Sequence, residues 1–323
     1  MTQHKQHFLL SAKARTLSLK AVFTMGEEKA YEAFKMLRWP ETDGESYCPR
    51  CGCTETYDIK TRRKFKCVAC HHQFSVTSGT LFASRKMTFT DLLAAIVIFV
   101  NGAKGVSALQ MSRDLDCQYK TAFILTHKLR EAMAREQMDR ELNGTVEIDG
   151  AYFGGYVKPE NRKEDRRDRR LKVNASGKRQ CVVIMRERGG KSLPFIVANE
   201  GDAVPHVRDH VGTLATIHAD EGTGWDALHA GWKTERVNHS VEFYDQGVCT
   251  NQAESYFSRL RRMEIGTHHH IAGPYLNAYA GEAAWREDNR RVDNGSQAAM
   301  VARATMASAV SRKWAGYWQR SAI

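Results

Sequence analysis

The stretch CPRCGCTETYDIKTRRKFKCVACHHQF, beginning at Cys48, constrains the fold more tightly than any other part of the chain. Cys48 and Cys51 form one CxxC pair, and Cys67 and Cys70 form a second. Two such pairs suit a tetrahedral zinc ion, whose soft character favours thiolates. Each pair turns back on itself, so the four sulfurs meet at one point. The intervening TETYDIKTRRKF reads as a hairpin, with Tyr57, Ile59 and Phe65 giving alternating apolar faces, and HHQFSV supplies a further strand. This predicts a zinc ribbon over residues 47–86, holding one structural zinc per chain. The metal supplies folding energy that so small a core lacks. Cys53, His71 and His72 lie near enough to compete as ligands; symmetric spacing favours Cys48, Cys51, Cys67 and Cys70.

The compartment follows from what surrounds this module. The longest apolar run, LLAAIVIFV from Leu92, has nine residues, too short to cross a bilayer. The early FLL is no signal-peptide core. An intracellular, cytoplasmic protein without a membrane role is expected, with its eight cysteines as ligands or free thiols. Lys and Arg outnumber Asp and Glu by 48 to 37, a formal net charge of +11 over 323 residues. Such a field steers polyanions such as DNA or RNA toward the surface. Arg62, Arg63, Lys64 and Lys66 crowd the loop between the cysteine pairs, as phosphate contacts or as a solvated tip.

Helical periodicity fills residues 87–143. TFTDLLAAIVIFVNG predicts a helix capped by Thr90 and ended near Gly102. A second helix starts near Ser107, with Gln110 three residues on in a capping-box pattern. A third, YKTAFILTHKLREAMAREQ, carries a buried stripe of Ala122, Leu125, Leu129 and Met133. The tight turn between the last two resembles a helix-turn-helix, which makes Tyr119, Lys120, Thr121 and His127 candidate outward, DNA-facing residues. Residues 1–46 form a helical or flexible lead, and Asn143-Gly144 marks a boundary.

The largest part opens with GTVEIDGAYFGG. In a strand, Val146 and Ile148 face one way and Glu147 and Asp149 the other. QCVVIMRER and SLPFIVAN are two more strands, joined by a hairpin at Gly189-Gly190. VPHVRDHV is a short helix, TLATIHAD a strand ending at Asp220, GWDALHA a helical turn and WKTERVN a strand. NQAESYFSRLRRM is a helix with Glu254 near its start. This α/β order matches the ribonuclease H-like arrangement. In that fold the first strand lies beside the fourth, which implies that Asp149 and Asp220 meet and that a packed helix brings in Glu254. Three carboxylates suit hard divalent cations, and two ions ~3.5–4 Å apart can activate a hydroxyl and stabilise phosphoryl transfer. Without metal, such acids raise one another's pKa.

The chain resembles the IS1595 family of transposases, whose catalytic part is the ISXO2-like domain. VEIDGAYFGG, IHADEGTGWDAL with VNHSVEF, and TNQAESYFSRLRRMEIGTHHHIAGPYLNAYAGEAAWREDNRR carry the likeness, after a preceding zinc ribbon. Coverage runs from about Tyr47 to Arg291. The resemblance implies an insertion-sequence transposase acting on double-stranded DNA, both transposon ends at terminal inverted repeats and target. It implies a catalytic domain over 144–291 with a basic insertion at 158–180, and a multimer on DNA near the bacterial nucleoid. It places the catalytic and magnesium-binding (or manganese-binding) triad on Asp149, Asp220 and Glu254. His239 and Asn251 match polar positions that orient the site, and Arg261, Arg262, His269 and Arg286 match positions near DNA. Three departures stand out. Gly150 replaces a common acidic residue, Tyr256-Phe257 replaces Phe-Trp, and Arg261 replaces a lysine. Gly150 removes an accessory carboxylate for which Glu147, on the same face, is a replacement candidate.

Other features fit around this reading. The insertion is densest in charge at Arg166, Arg167, Arg169, Arg170 and Lys172, suited to a phosphate backbone or to a solvated hairpin. Residues 292–323 read as a C-terminal helix whose Trp314, Tyr317 and Trp318 form one apolar patch, folding back on the catalytic domain or pairing with another subunit. No serine or tyrosine recombinase constellation is present. Two alternatives share the motifs: an inactive transposase-derived DNA-binding protein, and a ribonuclease H-like nuclease that cuts without joining.

Overall fold

The computed structural model describes residues 7–137, 140–155, 160–167, 174, 177–237 and 248–320. The chain separates into a unit of Met1–Glu136 with Asn289–Ile323 and a unit of Gln137–Asp288.

In the first unit, helix α1 (Leu19–Arg38) is capped by the Ser18 hydroxyl, which accepts from the Ala21 amide, and is broken at Gly26. There φ is 78°, a conformation that glycine adopts without strain. Strands β1 (Thr56–Ile59), β2 (Lys64–Cys67) and β3 (Gln73–Phe74) form an antiparallel ribbon in that order. Pairing register decides which side chains face inward. Phe65 stands opposite Asp58 and Phe74 and is buried, packing edge-on against Trp39 at 5.4 Å. Tyr57 stands opposite Lys66 on the other face and is 64% exposed, so it is not part of the expected apolar face.

Helix α2 (Phe89–Asn101) begins two residues earlier than the sequence implied. Thr88, not Thr90, is its cap: the Thr88 hydroxyl accepts from the Asp91 amide while the Asp91 carboxylate accepts from the Thr88 amide. Thr90 instead donates to Glu27. All nine residues of the apolar run Leu92–Val100 are buried, because α1 and α8 (Asn294–Ala307) pack around it. Among the described residues no helix is long and apolar enough to cross a membrane. Helix α3 (Ala108–Asp114) starts behind Ser107, whose hydroxyl accepts from the Gln110 amide. Helix α4 (Tyr119–Arg135) buries Ala122, Leu125, Leu129 and Met133 as its periodicity implied. His127 differs. It is fully buried, because the chain's tail covers that face of α4 and Trp314 stacks on the imidazole at 4.2 Å. The aromatic patch of the tail therefore lies on α4 within its own unit. The tail itself comprises α8 and the short α9 (Tyr317–Arg320).

The second unit is a five-stranded mixed sheet. Its strands are β4 (Thr145–Phe153), β5 (Gln180–Glu187), β6 (Ser192–Val197), β7 (Thr216–Asp220) and β8 (Lys233–Val237). They lie in the order β6-β5-β4-β7-β8, with β4, β5 and β6 antiparallel and β4, β7 and β8 parallel. Strand alternation sorts the core into two layers. Val146, Ile148, Val183 and Met185 pack with Val207, Trp225 and Leu228, from helix α5 (Val204–His210) and the 3-10 segment Thr223–Ala230. Ala151, Phe153, Val182 and Ile184 pack with Tyr256, Leu260 and Ala280, from α6 (Asn251–Met263) and α7 (Gly273–Asp288). Helices thus cover both faces.

Candidate functional site

Ile148 stands directly beside Ala219 in the parallel pairing of β4 and β7. The next residues, Asp149 and Asp220, therefore emerge at neighbouring positions in the middle of the sheet. Strand β7 ends at Asp220, whereas β4 runs on to Phe153, so Asp149 projects from the middle of a strand beside the carboxyl end of its neighbour, the end of such sheets at which ligands bind. Glu254 lies in the first turn of α6, on the face of the sheet to which Asp149 points. Asp149 feels all of its acidic neighbours. Burial pushes its carboxyl up to about 7, reinforced by Asp220, Glu200 and Glu254, although the Gly150 amide donates to it at 2.7 Å. Asp220 accepts from the Gly222 amide at 3.1 Å. Among the described residues, only a cysteine quartet brings three or more candidate ligand atoms within 4.8 Å of one another. The carboxylates stand further apart, with Glu254 exposed.

Glu147 shares a strand face with Asp149 but has a different task. It is completely buried and bonds Arg188 Nε at 2.8 Å. Its other oxygen accepts from the Gln252 and Ala253 amides at 2.8 and 3.2 Å. Those are first-turn amides of α6, so a carboxylate fills the anion position at the positive end of the helix that carries Glu254. Glu147 is consequently no replacement for the acid missing at position 150; its lone pairs are committed to holding α6. Arg188 also donates to the Cys249 carbonyl at 3.1 Å, tying down the chain just before the helix.

Two residues of this site gave no signal in the sequence. Glu200, just after β6, reaches over Gly150. A Cβ at position 150 would stand only 2.5 Å from Glu200 Cγ and 2.8 Å from Oε1. The glycine that departs from the family pattern thus leaves the space that Glu200 fills. Burial, then the charge of Asp220, raises the Glu200 pKa. A Cβ on Gly222 would lie 3.0 Å from Asp220 Oδ1 and 3.5 Å from Glu200 Oε2, so the two carboxylates share one small volume. Arg236, from β8, donates to the Asp220 carbonyl at 2.6 Å and to the Gly222 carbonyl at 2.5 Å. It fixes the turn that aims Asp220.

In the ribbon, Cys48 and Cys70 sulfurs lie 3.5 Å apart, as do those of Cys51 and Cys67, and all four fall within 4.8 Å. A zinc tetrahedron with bonds of about 2.3 Å has edges of about 3.8 Å, so the quartet fits the ion. Each CxxC turn closes the same way: Gly52 donates to the Cys48 carbonyl at 2.9 Å and His71 to the Cys67 carbonyl at 3.2 Å. Gly52 and His71 both have positive φ, at 75° and 58°. His71 is therefore a turn residue. His72 stacks on Phe74, and the Cys53 thiol donates to the Glu55 carbonyl at 3.7 Å. None of the three rivals joins the cluster. An amide donated by Cys70 draws the Cys67 thiol down to about 6, favouring the thiolate that binds metal.

The predicted DNA-facing cations divide. Arg62, Lys64 and Lys120 are exposed, as are Arg166, Arg167, Arg261, Arg262 and His269. Arg63 instead bonds Glu27 and Glu28, each at 2.8 Å, and locks the ribbon to α1. Arg286 is buried against Glu282 at 2.8 Å, one helical turn away, and is a core ion pair and not a DNA contact. Asn251 is the exposed first residue of α6. His239, Arg169, Arg170 and Lys172 lie outside the described residues.

Comparison with curated proteins gives no match. Two domain families do match. Residues 25–73 fit the transposase zinc-ribbon domain, a span that begins within α1. Residues 141–288 fit the ISXO2-like transposase domain, which coincides with the second unit almost to the residue. Carrying both domains in this order, the chain belongs to the IS1595 family of transposases.

Proposed function

We propose that this transposase cuts and joins DNA at the terminal inverted repeats of an insertion sequence, using Asp149, Asp220 and Glu254. The observation that carries the proposal is the parallel register that sets Ile148 beside Ala219, and so Asp149 beside Asp220, with Glu200 sharing the space next to Asp220; burial, reinforced by these acids and Glu254, pushes the Asp149 carboxyl up to about 7. A fold keeps like charges together at such cost where a cation is to offset them. The strand order β6-β5-β4-β7-β8, with helices on both faces, supports a ribonuclease H-like assignment. Asp149 and Asp220 take the middle of that sheet, and Glu254 closes the set by rotation of its exposed side chain.

The donors are hard oxygens, which fits magnesium or manganese. Bound there, the metal ions, two in the full site, supply Lewis acidity for a hydroxyl attacking a phosphodiester. The chain's own residues do the rest. Arg236 and Glu147 hold the turn and the helix from which two of the acids project. Arg62, Lys64, Arg261 and Arg262 offer phosphate contacts, together with the basic insertion, and so counter the repulsion between an acidic site and a polyanion. Phosphoryl transfer needs alignment and charge compensation and no protein nucleophile. Joining two ends calls for more than one copy of the chain on DNA.

The test uses DNA carrying the element's ends, labelled at the 5′ or the 3′ terminus, with a target plasmid. Wild type is expected to cleave and join in magnesium, and Asp220→Asn to bind the DNA normally and do neither. Equal cleavage by both proteins removes Asp220 from catalysis. Cleavage without joined product favours the nuclease alternative.

A further inference from the structure

The helix-turn-helix reading leaves an unexplained feature on α4. Its face is occupied by the chain's own tail, which anchors there through rings and hydrogen bonding. Phe123 packs against Trp314, Tyr317 and Trp318 at 6.0, 6.0 and 5.6 Å. Trp318 Nε1 donates to the Lys120 carbonyl at 3.3 Å. Trp314 is buried, and Tyr317 and Trp318 are half-buried.

These rings form one wall of a groove of about 690 Å³. The other walls are α4 and the turn at residues 82–87 that follows the ribbon. That size lies within the roughly 300–1,000 Å³ that encloses small organic ligands. The charge of the lining is one-sided: Arg85, Lys86, Lys120 and Lys128 contribute, and among the described residues no Asp or Glu does. Lys120 Nζ sits 5.3 Å from the Trp318 ring, so cation and aromatic face are presented together. At the same mouth, α4 starts without a side-chain cap from Gln118; the Thr121 amide turns back to the Gln118 carbonyl at 2.9 Å, and the positive end of the helix lies beside Lys120.

A ligand matching this surface has a flat aromatic face and a negative charge one bond network away. A nucleotide has both. Within a duplex the base faces are covered by stacking, so the nucleotide must be unpaired. An acidic peptide supplies the charge without the flat face. We propose that this groove holds an unpaired nucleotide of a DNA strand, its base against Trp318 and Tyr317 and its phosphate at Lys120 and Lys86. The site lies wholly in the unit that carries the zinc ribbon. It goes beyond the cut-and-join reading and needs only that the protein handles DNA.

The experiment is fluorescence anisotropy with full-length, zinc-loaded protein. The probes are a labelled short thymidine strand, an abasic strand of equal length and a duplex of equal length. Wild type is expected to bind the thymidine strand about tenfold more tightly than the abasic one, as stacking of one base implies. Trp318→Ala should lose about that factor on the thymidine strand and leave abasic and duplex binding unchanged. Lys120→Gln should weaken both single strands and reduce the slope of affinity against salt by about one. Circular dichroism checks that each variant is folded; should Trp318→Ala fail that check, Lys120→Gln and the abasic comparison decide. Equal binding of thymidine and abasic strands overturns the proposal. So does displacement of the thymidine strand by polyglutamate as readily as by unlabelled strand. Failure of the acid-site reading would appear in cleavage and leave this binding assay untouched.

Discussion

Replacing Glu147 by glutamine separates two readings of this residue by the sign of its effect. The side chain is completely buried, pairs with Arg188 at 2.8 Å, and receives two first-turn amides of α6 at 2.8 and 3.2 Å. Glutamine keeps the shape and one oxygen, which still accepts from Gln252 and Ala253. Its amide nitrogen then faces Arg188 Nε, donor against donor. The variant loses a charge-assisted hydrogen bond worth about 1.5–3 kcal/mol and a charge at a helix N-terminus worth about 0.3–2 kcal/mol. Arg188 is partly exposed and keeps the Cys249 carbonyl, so water recovers part of the loss. A net destabilisation of about 2–4 kcal/mol is expected for the second unit. The assay is urea unfolding in buffer free of added divalent cations, followed by hydrogen exchange in peptides covering α6. Chelators are avoided because they strip the ribbon. Exchange should accelerate first in residues 251–257. An accessory metal ligand would behave oppositely: its neutralisation would leave the metal-free protein unchanged or more stable. A loss below about 0.5 kcal/mol with α6 protection intact refutes the capping argument.

Three further outcomes follow from the same geometry. Asp149 has a folded pKa near 7 against 3.8 for the free carboxyl, so its contribution to stability is present at low pH and is lost as pH rises through 7. Metal-free wild type should lose at most about 4 kcal/mol across that window, and Asp149→Asn should lack that slope in urea midpoints; parallel profiles contradict the shift. Glu200→Gln should lower the pH at which Asp149 titrates by carbon-13 NMR and weaken manganese binding by about tenfold or more; unchanged values for both would place Glu200 outside the site. Cys67→Ser should cost about one zinc per chain by metal analysis and unfold the strands of the ribbon, whereas unchanged zinc content would remove Cys67 from the ligand set.

What the sequence disclosed was whatever depends on local spacing. The CxxC pairs specify their geometry within four residues each, and Gly189-Gly190 fixes a hairpin that the β5–β6 pairing repeats. The alternation of β4 assigns Glu147 and Asp149 to one face, as found. It does not reveal that the N-terminus of α6, a hundred residues later, arrives over Glu147 and claims it. Glu200 was illegible for the same reason: it meets Gly150 only through the sheet. Arg63 and Arg286 show the limit of charge counting, since a cation reads alike whether it faces water or, as here, Glu27 and Glu282. His127 sits on the exposed side of a three-helix pattern until the tail, far away in sequence, covers it.

The central claim is that Asp149, Asp220 and Glu254 take up divalent cations as a set. Anomalous diffraction from crystals grown with manganese and a terminal-repeat duplex tests it directly. Two manganese peaks are expected to touch these three carboxylates in wild type, and they should be lost or strongly weakened in Asp220→Asn. A wild-type map without manganese density between β4, β7 and α6 would contradict the account.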